Sequence, residues 1–364
     1  MNRSNRFWRK MEVKLGVRHW AARMAASSLC AAIPVVGFAS GPALPAYKIT
    51  TTIPLGPGER WDYVTFDPSS NRAFVAHGDH VTVVDTKKAT VVGQIGTFPG
   101  GTHGIGISTA TGQGYTDDGK AGTVGVFDLA TLKVMKQIPA APDADGIVFD
   151  PVSRHIFVIN GDSGSITVID PAKTAAIANI KVGAGLEAGA VDGAGKLYVD
   201  GAENHEIIEI DTRKNAIDAH WAMPDCKRPH GIAIDPSTRR IFVTCINEVL
   251  VVVDADSGVN VATLPIGSSS DGAAFDPVRN LIFSSNGEGT LTVIQEKDGH
   301  TFLLANTIKT IPSARTIAID VRSGRLFVPA ADIAKIDPPT SPGARPHVAF
   351  VPGSLKLLVL DPQP

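Results

Sequence analysis

Seven titratable side chains recur at nearly even intervals along this chain. They are Asp62, His103, Asp145, Glu187, His230, Asp271 and Arg315, spaced 41 to 44 residues apart. Titratable types make up under a quarter of the sequence, so seven in register is not a chance pattern. Brought together, four carboxylates, two imidazoles and one guanidinium would make a polar, mostly acidic pocket. Such a pocket suits a small polar ligand, a metal ion or a protein partner. Imidazole with carboxylate ligates Zn, Mn or Fe, and carboxylate with amide carbonyls suits Ca or Mg. For one divalent metal ion the sequence offers His77, His103, His230 and Glu187. Acids beside histidine can also trade protons with a substrate, so a metal-dependent hydrolase, lactonase or lyase is the alternative reading. In the plainer reading these charges pair with one another, Arg315 neutralising Asp62 and Asp271.

The elements that must position these residues repeat with them. Each of the seven stands five residues before an anchor at the end of an apolar run: Asp67, Ser108, Asp150, Asp192, Asp235, Asp276 and Asp320. A fixed period of this length marks a propeller or solenoid. Each repeat carries a short apolar strand, an Asp-Pro-Ser-like turn, and a second strand such as Ile241-Phe242-Val243. A third strand ending in Asp follows, such as Val252-Val253-Asp254, and then a more irregular fourth. The strands are rich in β-branched and aromatic residues, bounded by turn chemistry, and show no helical period. Four antiparallel strands used seven times predict an all-β, seven-bladed β-propeller. The last repeat stops at Asp361, just after its third strand, while Tyr47–Ile53 precedes the first repeat and reads as a fourth strand. That segment is expected to complete the last blade and close the ring, removing exposed sheet edges. The seven residues then open the first strand of each blade, at one mouth of the central channel. The second-strand ends, His77, Asp118, Asn160, Gly201, Cys245, Asn286 and Ala330, are expected at the same rim, with loop residues such as Asp117. The recurring Asp residues at the turns read as structural.

The strand endings carry a resemblance. Phe157-Val158-Ile159-Asn160 followed by Val168-Ile169-Asp170, and Phe242-Val243-Thr244 followed by Val252-Val253-Asp254, resemble the YVTN β-propeller repeat family of YncE-like exported proteins. The resemblance covers roughly residues 47 to 361 and implies the fold and export, but no particular chemistry. The fourth repeat departs most, with Gly193-Ala194-Gly195 at its turn and the more polar Glu209-Ile210-Asp211 in its third strand.

Residues 1–39 differ from the rest: seven basic residues face one acid, Glu12, and an Ala-rich apolar run follows from Met24 to Phe38. This reads as a secretory signal peptide, too short and too interrupted by Pro34 for a membrane span. The expected product is a periplasmic or secreted monomeric propeller over residues 40–364 with no stable membrane span. Losing the first segment leaves 27 basic and 35 acidic residues, a balance that opposes nucleic-acid binding. Two cysteines remain, Cys226 and Cys245, and an oxidising compartment favours a disulfide between them. Free thiols, or a metal site with His230, are the other readings. A Pro-rich insertion, Ala331 to Ser354, falls between the second and third strands of the last blade. It is expected on the same rim, as a lid or binding loop that carries Arg345 and His347. No Walker loop, dinucleotide fingerprint, nucleophile elbow or haem-attachment motif occurs.

Overall fold

The computed structural model describes residues 46–58, 60–183, 185–339 and 347–363. The signal segment and Arg345 lie outside these residues. Seven antiparallel sheets of four strands form the blades of a β-propeller, with one further two-stranded hairpin. Blade one, for example, runs Val64–Asp67, Arg72–His77, His80–Asp85 and Thr90–Ile95, in sequence order across the sheet.

Burial along each blade explains why these segments are strands. The second and third strands are buried on both faces, because neighbouring blades pack against both, and they read as continuous apolar runs. Phe74, Phe157, Phe242, Phe283 and Phe327 occupy the same position of the second strand in five blades and are fully buried. The outer strands face water on one side, and exposed Val91, Met135 and Ile177 all lie there.

The turns follow the anchor residues. The Asp67 carboxylate accepts hydrogen bonds from the Ser69 backbone (2.9 Å) and the Ser69 and Ser70 hydroxyls. Asp235 accepts from the Ser237 amide at 2.8 Å and Asp276 from the Val278 amide at 2.9 Å. Such Asx-type turns fix where each first strand ends.

The seventh blade is assembled from both ends of the chain. Its sheet order is Ala318–Asp320, Arg325–Ala330, Lys356–Pro362 and then Tyr47–Pro54. Tyr47 pairs with Pro362 and Pro54 with Lys356, so the N-terminal strand closes the ring, as its place before the first repeat predicts. Tyr47 also meets Phe283 of blade six edge-on, ring centroids 5.1 Å apart.

Candidate functional site

One irregularity, repeated in four blades, aims side chains at the channel. In blade three, Ala144 pairs with Asn160 but Ile147 with Val158, leaving two residues opposite one. Blade four does the same between Leu186 and Gly189, while His230 and Asp271 are the extra residues in blades five and six. A bulge rotates its residues out of the ladder and bends the strand. The bulged residues include Asp145, Glu187, His230 and Asp271. In the other three blades the regular first strand begins later, at Val64, Ile105 and Ala318, and Asp62, His103 and Arg315 precede it.

The structure links most of these residues through charge. His230 is buried, with Nδ1 3.0 Å from Glu187 Oε1 and 3.2 Å from Asp271 Oδ1. Burial disfavours its charged form, but the two carboxylates outweigh that and push the imidazole up to about 10. The other oxygen of Asp271 lies 2.9 Å from Arg315 Nε, and Arg315 reaches Asp62 at 4.0 Å. Burial holds the Asp62 carboxyl up at about 7; Arg315 pulls it down, and Asp271 pushes the other way. His103 pairs instead with Asp117, Nδ1 to Oδ2 at 2.7 Å, and the other Asp117 oxygen accepts the His103 and Gly104 amides. Asp145 stands apart: its Oδ1 is buried with no hydrogen-bond partner. Burial, then the nearby carboxylates of Asp62 and Glu187, holds it well above the ordinary carboxylate range.

Several residues at this mouth lie outside the seven-residue register. Tyr63, just before the first strand of blade one, packs against the core cluster that includes Ala188 of blade four and Ile232 of blade five, and lines a small cavity with Ala188. Burial and the surrounding carboxylates, Asp145 first, hold its phenol in the neutral form. Asp200, in the second strand of blade four, is fully buried and neither carboxylate oxygen has a partner. It lies opposite the Glu187–Ala188 bulge, at the place Asp117 takes in blade two. Burial holds it well above its usual range, with His230 and Glu187 the charges it feels. A carboxylate inside an otherwise apolar strand, Leu197-Tyr198-Val199-Asp200, was the signal available for it.

The second-strand ends do not join the ring. His77 is buried against Gly58 and His80, its Nδ1 2.9 Å from Thr82 Oγ1. Burial holds its imidazole down at about 4, so it is neutral and turned away from the other expected metal ligands. Asp118 accepts the Gly100 amide, Asn160 bonds Ser165, and Asn286 bonds Thr290 and Thr292. These side chains tie their own blade's loops, because alternation along the strand points them away from the channel. Cys245 forms a disulfide with Cys226, Cα atoms 5.3 Å apart. His103 is likewise committed to Asp117. Among the described residues, the group whose ligand atoms could hold a metal ion is Glu187, His230 and Asp271, all within 4.8 Å.

The blade-seven insertion roofs the mouth. Its strands Ile333–Asp337 and His347–Phe350 form a hairpin, pinned at the base where Ser313 bonds both the N–H and C=O of Ala331. Phe350 meets Trp61 edge-on at 4.7 Å, and the Arg315 guanidinium lies 5.9 Å from the Trp61 ring centre. Two cavities of about 400 and 410 Å³ share these three side chains. The first opens on Asp62, His103 and Lys120, the second on His230, Asp271, Ile333 and Val348. His347 does not line either one: it is exposed, its nearest charged partner Asp337 at 3.9 Å. The hairpin offers the mouth apolar side chains rather than its histidine.

No family model matches the chain, and no curated protein matches it in sequence. Solved structures do match in fold. Hydrazine synthase of Kuenenia stuttgartiensis superposes with a TM-score of 0.65 at 15% identity, covering 76% of this chain and 92% of that one. The RRP9 WD40 repeats give 0.70 at 9% identity, over 86% and 97% of the two chains. U3-55K gives 0.69 at 9% identity, over 84% and 98%. At such identities the likeness is one of fold: a seven-bladed β-propeller.

Proposed function

We propose that this chain is an exported binding propeller of the YVTN kind, which holds a small, positively charged ligand at the roofed channel mouth. The observation that carries this reading is the surplus of acid there. Asp62, Asp145, Glu187, Asp271 and Asp200 feel one another's charge, and the ion pairs set Arg315 and His230 against them. Asp145 keeps a buried oxygen with no partner. A carboxylate held out of water without a counter-charge is costly, and a bound cation relieves that cost. The walls suit the same guest. Trp61 and Phe350 present aromatic surface to both cavities, and aromatic faces attract cations. The cavity of about 410 Å³ that reaches His230 and Asp271 has room for a metabolite-sized ligand, whereas the one of about 400 Å³ carries Arg60 and Lys120 beside Arg315 and suits a cation less. Export and a periplasmic or secreted location rest on the basic-then-apolar segment at residues 1–39 and on the disulfide.

Isothermal titration with spermidine and choline, against citrate as the anionic probe, tests the reading. The cations should bind and citrate should not, and Asp145→Asn should weaken cation binding about tenfold or more, as loss of one buried charge contact does. Binding of citrate alone, or cation binding indifferent to Asp145→Asn, would remove it.

A further inference from the structure

Four of the polar groups at the mouth gather on one side, where blades four, five and six adjoin. His230 Nδ1 has Glu187 Oε1 at 3.0 Å and Asp271 Oδ1 at 3.2 Å. These are the spacings of ligands around one ion. Donors about 2.0–2.2 Å from a zinc ion at tetrahedral angles lie roughly 3.3–3.6 Å apart, and closer when the angle narrows.

A second observation points the same way and does not depend on those ion pairs. Asp200 is fully buried in the second strand of blade four, opposite the bulge that carries Glu187, with both oxygens unpartnered. In blade two the equivalent Asp117 earns its burial by binding two bulge amides and an imidazole. Asp200 makes none of these bonds, although the charges it feels are those of Glu187 and His230. Its position is explained if a positive ion completes the group. The cavity lined by His230, Asp271 and Arg315 gives an ion a way in from solvent.

We propose that Glu187, His230 and Asp271, backed by Asp200, form a binding site for one zinc-type divalent ion at the channel mouth. One imidazole nitrogen with carboxylate oxygens favours zinc or manganese over calcium or magnesium, which prefer all-oxygen shells. The proposal deepens the cation-binding reading and rests on it: the ion would be the first cation of the site.

The test uses the full chain, stripped with a chelator and titrated with zinc chloride, with magnesium chloride and spermidine in parallel. One zinc per chain is expected, with no heat from magnesium in the same range. His230→Gln should abolish stoichiometric binding. Asp200→Asn, which keeps shape and removes charge, should weaken it about 10–100-fold, as loss of an outer-shell carboxylate does. Circular dichroism checks that each variant is folded, and Glu187→Gln replaces His230→Gln if that variant is not. Cobalt substitution supplies an independent readout, a visible band that His230→Gln should lose. Zinc that fails to bind while spermidine binds overturns the proposal and leaves the cation reading standing; failure of both overturns both. Zinc that binds equally well to the variants lies elsewhere and also overturns it.

Discussion

At the scale of single residues, the mouth holds charges that the fold would be more stable without. Asp62 shows the sign. Its carboxyl titrates at about 7 in the folded protein against 3.8 for the free side chain, burial being the main cause. A group raised in this way gives stability that is complete below the unfolded pKa and lost as the pH rises through the folded one. Asp62→Asn, close in shape to the protonated acid, should therefore match the parent at about pH 4 and exceed it by on the order of 1–3 kcal/mol at about pH 8. Thermal melts at the two pH values check this. A less stable variant at the higher pH would mean that the 4.0 Å contact with Arg315 outweighs burial. Asp62 and its six counterparts were legible because each sits at a fixed distance from a turn-forming anchor. Asp200 was marked only as a carboxylate inside an apolar strand, and Tyr63, just before the first strand of blade one, by nothing. What places Asp200 is its register with the bulge of blade four, and bulges have no composition of their own.

At the scale of elements, the first strands do the positioning, and what steadies them differs by blade. Blade two uses Asp117, which grips the amides of His103 and Gly104. Blade five uses a covalent staple. Cys226, in the link from blade four, is joined to Cys245 at the end of the second strand, so the disulfide brackets the strand that carries His230. The Lys227 amide also bonds Asn247 and the Ile246 amide bonds the Lys227 carbonyl. The crosslink closes a separation of 19 residues, for which chain entropy gives about 3 kcal/mol. Cys226→Ser/Cys245→Ser should lower the unfolding free energy by about that amount in urea melts, and the parent with reductant should show the same loss. Equal midpoints with and without reductant would count against this role. The second-strand ends misled because the sequence places them on the right rim. Only the alternation of the strand shows that His77 and Asn160 point back into their own blades.

At the scale of the whole molecule, the ring is closed by a strand far from its partners in sequence. The repeat made this legible, since a seventh unit lacking its fourth strand needs one from elsewhere. Tyr47, Ile53 and Leu55 are all nearly fully buried in the cores that join blade seven to its neighbours. Burying side chains of this size contributes about 1.5–3 kcal/mol each, so together they approach the net stability of about 5–15 kcal/mol that most domains have. Their loss also bares the edge of Lys356–Pro362, a strand whose middle is Leu357, Leu358, Val359 and Leu360. An apolar edge of that kind pairs with other chains. A chain beginning at residue 56 should therefore lose its cooperative thermal transition and aggregate. A synthetic peptide of residues 46–55 added in trans should restore the transition in a concentration-dependent way, because the strand binds only the folded ring. A truncated chain that melts like the parent would show that seven blades close without their shared strand, and that the channel mouth does not depend on it.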